Sequence, residues 1–275
     1  VLFLHGFPEY WEQWKPQLED LGNDYLAVAP DMRGFHLSSA PKDVNEYRIR
    51  ALVEDVRALA DQFGQKKFVL VGQDWGGIVA WAFSMYYPER LDKLVIMNAP
   101  HPAIFERELR DNPAQQLASQ YMLMCNTPDA EKVLSDQDYA ALRFHVLSEG
   151  LRQGYLTAED EAKYLALWAD GKTLTGGLNY YRAARIGPPP TPGDYWTVRK
   201  HFAADLPTLN VKVPTLLIWG MGDIYLLAGN LSGLGKYVPD MTVKLFSDAS
   251  HWVNRAKAQE VNVALREFIT KPARP

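Results

Sequence analysis

The chain has 275 residues, 47% of them hydrophobic and 23% charged, enough for one globular domain with a large core and an insertion. A formal net charge of −4 provides no basic excess to recruit nucleic acid or an anionic membrane, and no apolar run is long enough to span a bilayer. The single cysteine, Cys125, cannot form an intramolecular disulfide, so a reducing, cytoplasmic compartment is expected.

The sequence opens at Val1 inside a strand-like run, without an initiator methionine or a signal-peptide pattern, and further strands are expected upstream. Residues 1–4 predict a strand, followed by a turn at His5-Gly6-Phe7-Pro8. A second strand is predicted over 25–29, ended by Pro30 and Asp31, and a loop from Arg33-Gly34 lasts to Pro41. Ile49, Leu52, Val53, Val56, Leu59, Ala60 and Phe63 follow helical spacing, with Gly64 as the stop. The apolar run 68–71 then predicts a buried strand, and the apolar and small residues of 76–86 a buried helix. Strands alternating with crossover helices imply a parallel sheet, whose ligands bind at the carboxyl ends of the strands.

Between that strand and helix lies a turn at Gln73, Asp74 and Trp75, flanked by Gly72, Gly76 and Gly77. Small residues on both sides suit a sharp reversal that forces its central residue, Asp74, into a strained conformation. A plain helix N-cap would also explain Gly-x-Asp-x-Gly-Gly taken alone. Residues 94–97 predict another strand, after which 100–186 carry helical periodicity, including 114–124, 138–147 and 159–168, and no convincing strand. We read this stretch as a cap inserted over the strand ends, with the proline-rich segment 187–192 and the residues to 213 returning the chain to the sheet. The expected division is therefore 1–99 as the first part of the core, 100–213 as cap and return linker, and 214–275 as the rest of the core. Strands at 215–219 and 242–246 are followed by Asp223 and His251 respectively, and a helix over 257–269 closes the chain.

Asp74, Asp223 and His251 thus each lie just beyond a separate strand, in the order nucleophile, acid, histidine, which is the order of the α/β hydrolases. The words HGFPEYW, DMRGFHLSSAP, GQDWGG, NAPHP, LNYYR, WGMGD and SHW resemble the epoxide hydrolases across essentially the whole chain. The resemblance implies an α/β hydrolase fold, a mostly parallel sheet flanked by helices with a helical cap between strands. It implies an epoxide and water as reactants, no cofactor, and a homodimer as the assembly to consider. An ionised aspartate can attack carbon without first losing a proton, giving an enzyme ester. Water activated by His251, with Asp223 holding the imidazole, would then hydrolyse that ester, and the Phe7 and Trp75 N–H groups would stabilise the oxyanion.

The family supplies two cap tyrosines that protonate the departing alkoxide. Tyr181, the tyrosine directly before Arg182 in LNYYR, matches one, and Tyr121 in SQYMLMCNTP matches the other; Tyr180 is the competing position. Trp252 and Leu226 are expected to line an apolar pocket. The residue before the nucleophile, commonly histidine in the family, is Gln73 here, and Phe35-His36 replaces the more common Tyr-Gly or Tyr-Asn. His5 reads as a structural loop residue, and His36, His101, His145 and His201 show no ligand spacing, so no metal site is expected. A haloalkane dehalogenase would use the same Asp74, Asp223 and His251, but it needs no acid. A catalytically silent ligand-binding protein of the same fold would be marked by a degenerate triad, and all three positions are filled.

Overall fold

The protein is described by a computed structural model covering residues 1–191 and 205–272. Its first half builds strand β1 (Leu2–Leu4), helix α1 (Lys15–Leu21), helix α2 (Ile49–Gln62), strand β2 (Phe68–Gln73), helix α3 (Trp75–Tyr86) and strand β3 (Leu91–Met97). Helices α4 (Pro102–Asp111), α5 (Pro113–Ala118), α6 (Tyr121–Cys125), α7 (Ala130–Leu142), α8 (Ser148–Gln153), α9 (Ala158–Trp168) and α10 (Thr173–Ala184) follow without an intervening strand. Strands β4 (Thr215–Gly220) and β5 (Met241–Phe246) and helices α11 (Val253–Ala256) and α12 (Ala258–Thr270) complete the chain.

Among the described residues, five strands form one parallel sheet in the order β1-β2-β3-β4-β5. All six residues of β2 are buried, as an unbroken apolar run must be when helices cover both faces of a sheet. Leu70, Leu94, Ile96 and Leu217 join the cluster that contains α2 and α3. Their alternates Val69, Val71, Val95, Met97, Leu216 and Ile218 pack with Trp14, Leu21, Val261 and Leu265 on the other face. Because every pairing is parallel, the carboxyl ends of all these strands lie at one edge of the sheet.

The strand predicted over 25–29 is a correction: only Val28 pairs with β1, through Phe3 N–H to the Val28 carbonyl at 2.8 Å and Val28 N–H to the Val1 carbonyl at 2.9 Å. Tyr25 cannot extend it, because its N–H closes the end of α1 on the Leu21 carbonyl at 2.9 Å. The helix expected over 114–124 breaks in two, with the Gln115 side chain reaching Ser119 Oγ at 2.9 Å where α5 ends. Tyr121 consequently heads a separate short helix. The helix expected over 138–147 begins in the left-handed residues Gln137, Asp138 and Tyr139 and ends in a π-turn at Arg143–Leu147. Of the expected return segment, 192–204 lie outside the described residues, as does His201. Among the described residues no helix is long and apolar enough to cross a membrane.

Glycines let the last helix of the inserted segment seat directly on the sheet edge. A Cβ on Gly176 would stand 2.0 Å from the Gly34 carbonyl oxygen, and one on Gly177 would stand 2.1 Å from the Phe7 ring. No larger residue fits either place, so α10 meets the loop after β1 and projects Tyr180 and Tyr181 across it.

Candidate active site

Asp74 sits between β2 and α3 with φ 51° and ψ −126°, an unfavourable conformation for a residue with a Cβ. The turn is tight enough that a Cβ on Gly76 would come within 2.1 Å of the Leu4 carbonyl oxygen. This compression holds the start of α3 against the loop after β1. Phe7 N–H donates to Asp74 Oδ1 at 2.9 Å. Burial pushes the Asp74 carboxyl above its ordinary value, while the His251 charge and hydrogen bonds from the Phe7 and Trp75 backbone N–H groups pull it down.

His251 holds Nε2 at 3.6 Å from Asp74 Oδ2 and Nδ1 at 2.7 Å from Asp223 Oδ2. Asp223 is fixed on both oxygens: Oδ1 accepts from Tyr225 N–H at 2.8 Å and Leu226 N–H at 3.0 Å, and Oδ2 also accepts from Asn98 Nδ2 at 2.8 Å. With its second oxygen on the ring, Asp223 assigns the proton to His251 Nδ1 and leaves Nε2 toward Asp74. Burial lowers the affinity of His251 for a proton, but the Asp223 charge and hydrogen bond, with Asp74 and Glu9 behind them, raise its pKa to about 9. The sequence therefore brings together its three predicted residues from the ends of β2, β4 and β5.

Tyr121 and Tyr181 approach from the inserted helices, with ring centroids 6.1 Å apart in an edge-to-face pair. Tyr181 also meets Trp75 at 4.9 Å and Phe7 at 5.8 Å, while Tyr121 meets Tyr225 at 5.7 Å. Burial first, then Tyr121 and the Asp74 charge, raise Tyr181 well above the ordinary phenol; burial and Asp74 do the same to Tyr121, against a hydrogen bond from Tyr181 that lowers it. Both are protonated donors at neutral pH. The neighbouring Tyr180 turns the other way and donates to the Arg33 carbonyl at 2.9 Å.

Two apolar cavities meet at Asp74, Tyr121 and Tyr181. The larger, about 200 Å³, is lined by Trp252, Leu134, Val146 and Tyr225 among others; the smaller, about 30 Å³, is closed by Ile78, Phe105, Met122 and Leu226. Trp252 and Leu226 thus line opposite lobes. Among the described residues no group of three or more His, Cys, Asp or Glu side chains is arranged to hold a metal ion.

His5 is wholly buried and accepts from Met32 N–H at Nε2, 2.9 Å, with Nδ1 2.8 Å from the Gly6 carbonyl. Burial lowers its pKa to about 4, so it is a neutral strut of the loop. His101, lowered by burial to about 4, likewise braces Leu209 through Nε2 at 3.0 Å. Sequence reasoning missed three supporting residues. Asn98, at φ 36°, links Asp223 to the Gly220 backbone, and its place at the end of β3 was the available signal. Glu9, 1% exposed, receives Trp252 Nε1 at 2.7 Å, the Tyr164 hydroxyl, and Arg255 at 3.4 Å. Gln13 hydrogen-bonds Gln73, the residue before Asp74, at 2.8 Å.

A family profile described as alpha/beta hydrolase fold matches residues 1–255. The AB hydrolase superfamily protein YfhM of Bacillus subtilis (strain 168) is 35% identical over 272 residues, covering 98% of this chain and 89% of its own length. Epoxide hydrolase 3 of Xenopus tropicalis is 33% identical over 275 residues, covering 98% of this chain and 71% of its own length. Among solved structures, a mutant of an epoxide hydrolase from Bacillus megaterium, complexed with its product (R)-3-[1]naphthyloxy-propane-1,2-diol, superposes with a TM-score of 0.90 at 35% identity, covering 98% of this chain and 93% of that one.

Proposed function

The chain belongs to the epoxide hydrolases of the α/β hydrolase fold, and from that membership we propose that it opens an epoxide to a vicinal diol through a covalent ester on Asp74. The observation that carries the reading is the pairing of an aspartate at the strand-to-helix turn with two protonated tyrosines across the same cavity. Asp74 Oδ1 is already hydrogen-bonded by Phe7 N–H, which leaves Oδ2 as the attacking oxygen. Attack forms the ester C–O bond and breaks the ring C–O bond, and a hydroxyl proton from Tyr121 or Tyr181 neutralises the departing alkoxide.

In the second half, water attacks the ester carbonyl carbon and gives its proton to His251 Nε2, which Asp223 orients. The negative charge then develops on Oδ1, to which Phe7 N–H already donates, with Trp75 N–H as the second backbone donor to the Asp74 carboxyl. Collapse breaks the ester C–O bond, and the departing alkoxide takes the proton of the added hydroxyl, which releases the diol and restores the carboxylate; the imidazole proton returns through solvent to the tyrosinate.

The unequal lobes favour a terminal epoxide whose one bulky apolar substituent fills the larger cavity, with hydrogens toward Ile78 and Phe105. Halide displacement would use the same triad but leave the tyrosine pair idle. Product analysis with aryl-substituted terminal epoxides and matched chloroalkanes tests the function. Diol from the epoxide with no halide release is expected, and halide release without diol formation would replace this reading with a dehalogenase.

A further inference from the structure

A chain of buried amides runs under the nucleophile and joins the two sides of the site. Gly6 N–H donates to Gln13 Oε1 at 3.2 Å, Gln13 Nε2 donates to Gln73 Oε1 at 2.8 Å, and Gln73 Nε2 donates to the His251 carbonyl at 3.2 Å. Gln13 and Gln73 are fully buried. The two ends fix the orientation of both amides, because Gly6 N–H can only donate and the His251 carbonyl can only accept. Asn254 Nδ2 anchors the middle on the Gln13 carbonyl at 3.0 Å.

The ends of this chain are the two places where the reaction needs fixed geometry. Gly6 precedes the N–H of Phe7 that binds Asp74 Oδ1, and its Cα lies so close that a Cβ would fall 2.5 Å from Asp74 Cβ. At the other end, the His251 backbone carries the imidazole that stands 3.6 Å from Asp74 Oδ2. Gln73 itself is the residue before the nucleophile, so the amide chain is anchored on the backbone that carries Asp74.

We propose that Gln13 and Gln73 form a positioning pair that sets the Phe7 N–H and the His251 imidazole simultaneously against Asp74, using neutral amides so that the setting does not change with pH. The pair touches no reacting atom. It rests on the epoxide-opening reading only for its kinetic consequences, since the hydrogen bonds exist in the free protein. An imidazole at position 73 could accept from Gln13 and donate to the His251 carbonyl only in its neutral form. Protonated, it would have two donors and no acceptor for Gln13 Nε2.

The test combines a titration that needs no substrate with a single-turnover measurement. The His251 imidazole is followed by NMR as pH is varied in wild type, Gln73→Met and Gln73→His, and ester formation is timed with an aryl-substituted terminal epoxide. Gln73→Met should alter the His251 ring signals and slow ester formation on the order of 10- to 100-fold. Gln73→His should come close to wild type at high pH and lose ester formation as pH falls, with an acid limb at higher pH than the one that protonation of Asp74 gives wild type. Gln13→Met should reproduce the Gln73→Met effects. If Gln73→Met does not fold, Gln73→His decides. Unchanged His251 signals together with a wild-type pH profile in these variants would overturn the proposal. Should wild type consume no epoxide, the functional reading fails while the His251 titration still decides the positioning pair.

Discussion

His251 Nε2 lies 3.6 Å from Asp74 Oδ2, beyond hydrogen-bonding distance but well within electrostatic reach. Each group therefore senses the other's charge without sharing a proton with it. While Asp74 is ionised, its charge adds to that of Asp223 in holding the His251 pKa at about 9. In the proposed reaction, ester formation would remove the Asp74 charge. The histidine would then release its proton more readily, at the step in which a neutral imidazole is wanted as base.

Asp74→Asn copies that loss of charge in the free protein. The His251 pKa, followed by NMR, should fall from about 9 toward the ordinary imidazole value of about 6.5. The sign for stability follows. A histidine raised in the folded state stabilises fully below its unfolded pKa of about 6.5, and the contribution is lost as pH rises through about 9. Wild type should thus lose this increment between those limits, and Asp74→Asn should lose less. An unchanged His251 titration in Asp74→Asn would show that the two charges do not communicate.

In the proposed reaction Tyr121 and Tyr181 share the task of protonating the alkoxide, with burial and the Asp74 charge keeping both protonated. Tyr181→Phe and Tyr121→Phe should each slow ester formation about tenfold or more, and the double variant by roughly 10²- to 10⁴-fold, the span of general acid catalysis. Hydrolysis of an ester already formed should be much less affected. Stopped-flow separation of the two half-reactions measures this. Tyr180→Phe should leave ester formation near wild type, because the Tyr180 hydroxyl serves the Arg33 carbonyl.

Glu9 and Arg255 form a buried ion pair at 3.4 Å directly behind Trp252, with Tyr164 of the inserted helices joined to the same carboxylate. Arg255→Met leaves that carboxylate buried without its countercharge. Breaking a buried pair from one side costs about 3–5 kcal/mol, so urea unfolding should show a loss of that size. A loss below about 1 kcal/mol would mean that the tyrosine and tryptophan donors alone satisfy Glu9.

The parallel order of the sheet and the places of Asp74, Asp223 and His251 were legible because buried strands leave unbroken apolar runs and each residue follows one of them. The irregular parts were not. Residues 25–29 look like a strand in composition, yet Tyr25 is committed to closing α1, and only Val28 reaches β1. Glu9 lay within a quoted motif, but its carboxylate is matched by Arg255 from a segment 246 residues away, a pairing that no local pattern records. Gln73 stood out as a departure from the family pattern, whereas its link through Gln13 to Gly6 depends on a short helical turn packing beneath the sheet edge. Tyr181 could not be separated from Tyr180 by spacing. Their divergent directions follow from adjacent positions on α10, about 100° apart around the helix.

The covalent route and direct attack by water both require an ionised Asp74, and they differ in which oxygen reaches the product. In the covalent route the carboxylate oxygen bonded to substrate carbon stays with the diol, because water cleaves the ester at the carbonyl carbon. The placement of Phe7 N–H 2.9 Å from Asp74 Oδ1 supports this route, since an oxyanion forms there only when that carbonyl carbon is attacked. If Asp74 acted as a general base, charge would instead develop on the epoxide oxygen near the tyrosines. A single turnover in ¹⁸O-water with enzyme in excess should give unlabelled diol and one labelled oxygen in the peptide containing Asp74. Label in the diol on that first turnover would replace the ester mechanism with direct hydration, leaving the fold and the triad geometry as they are.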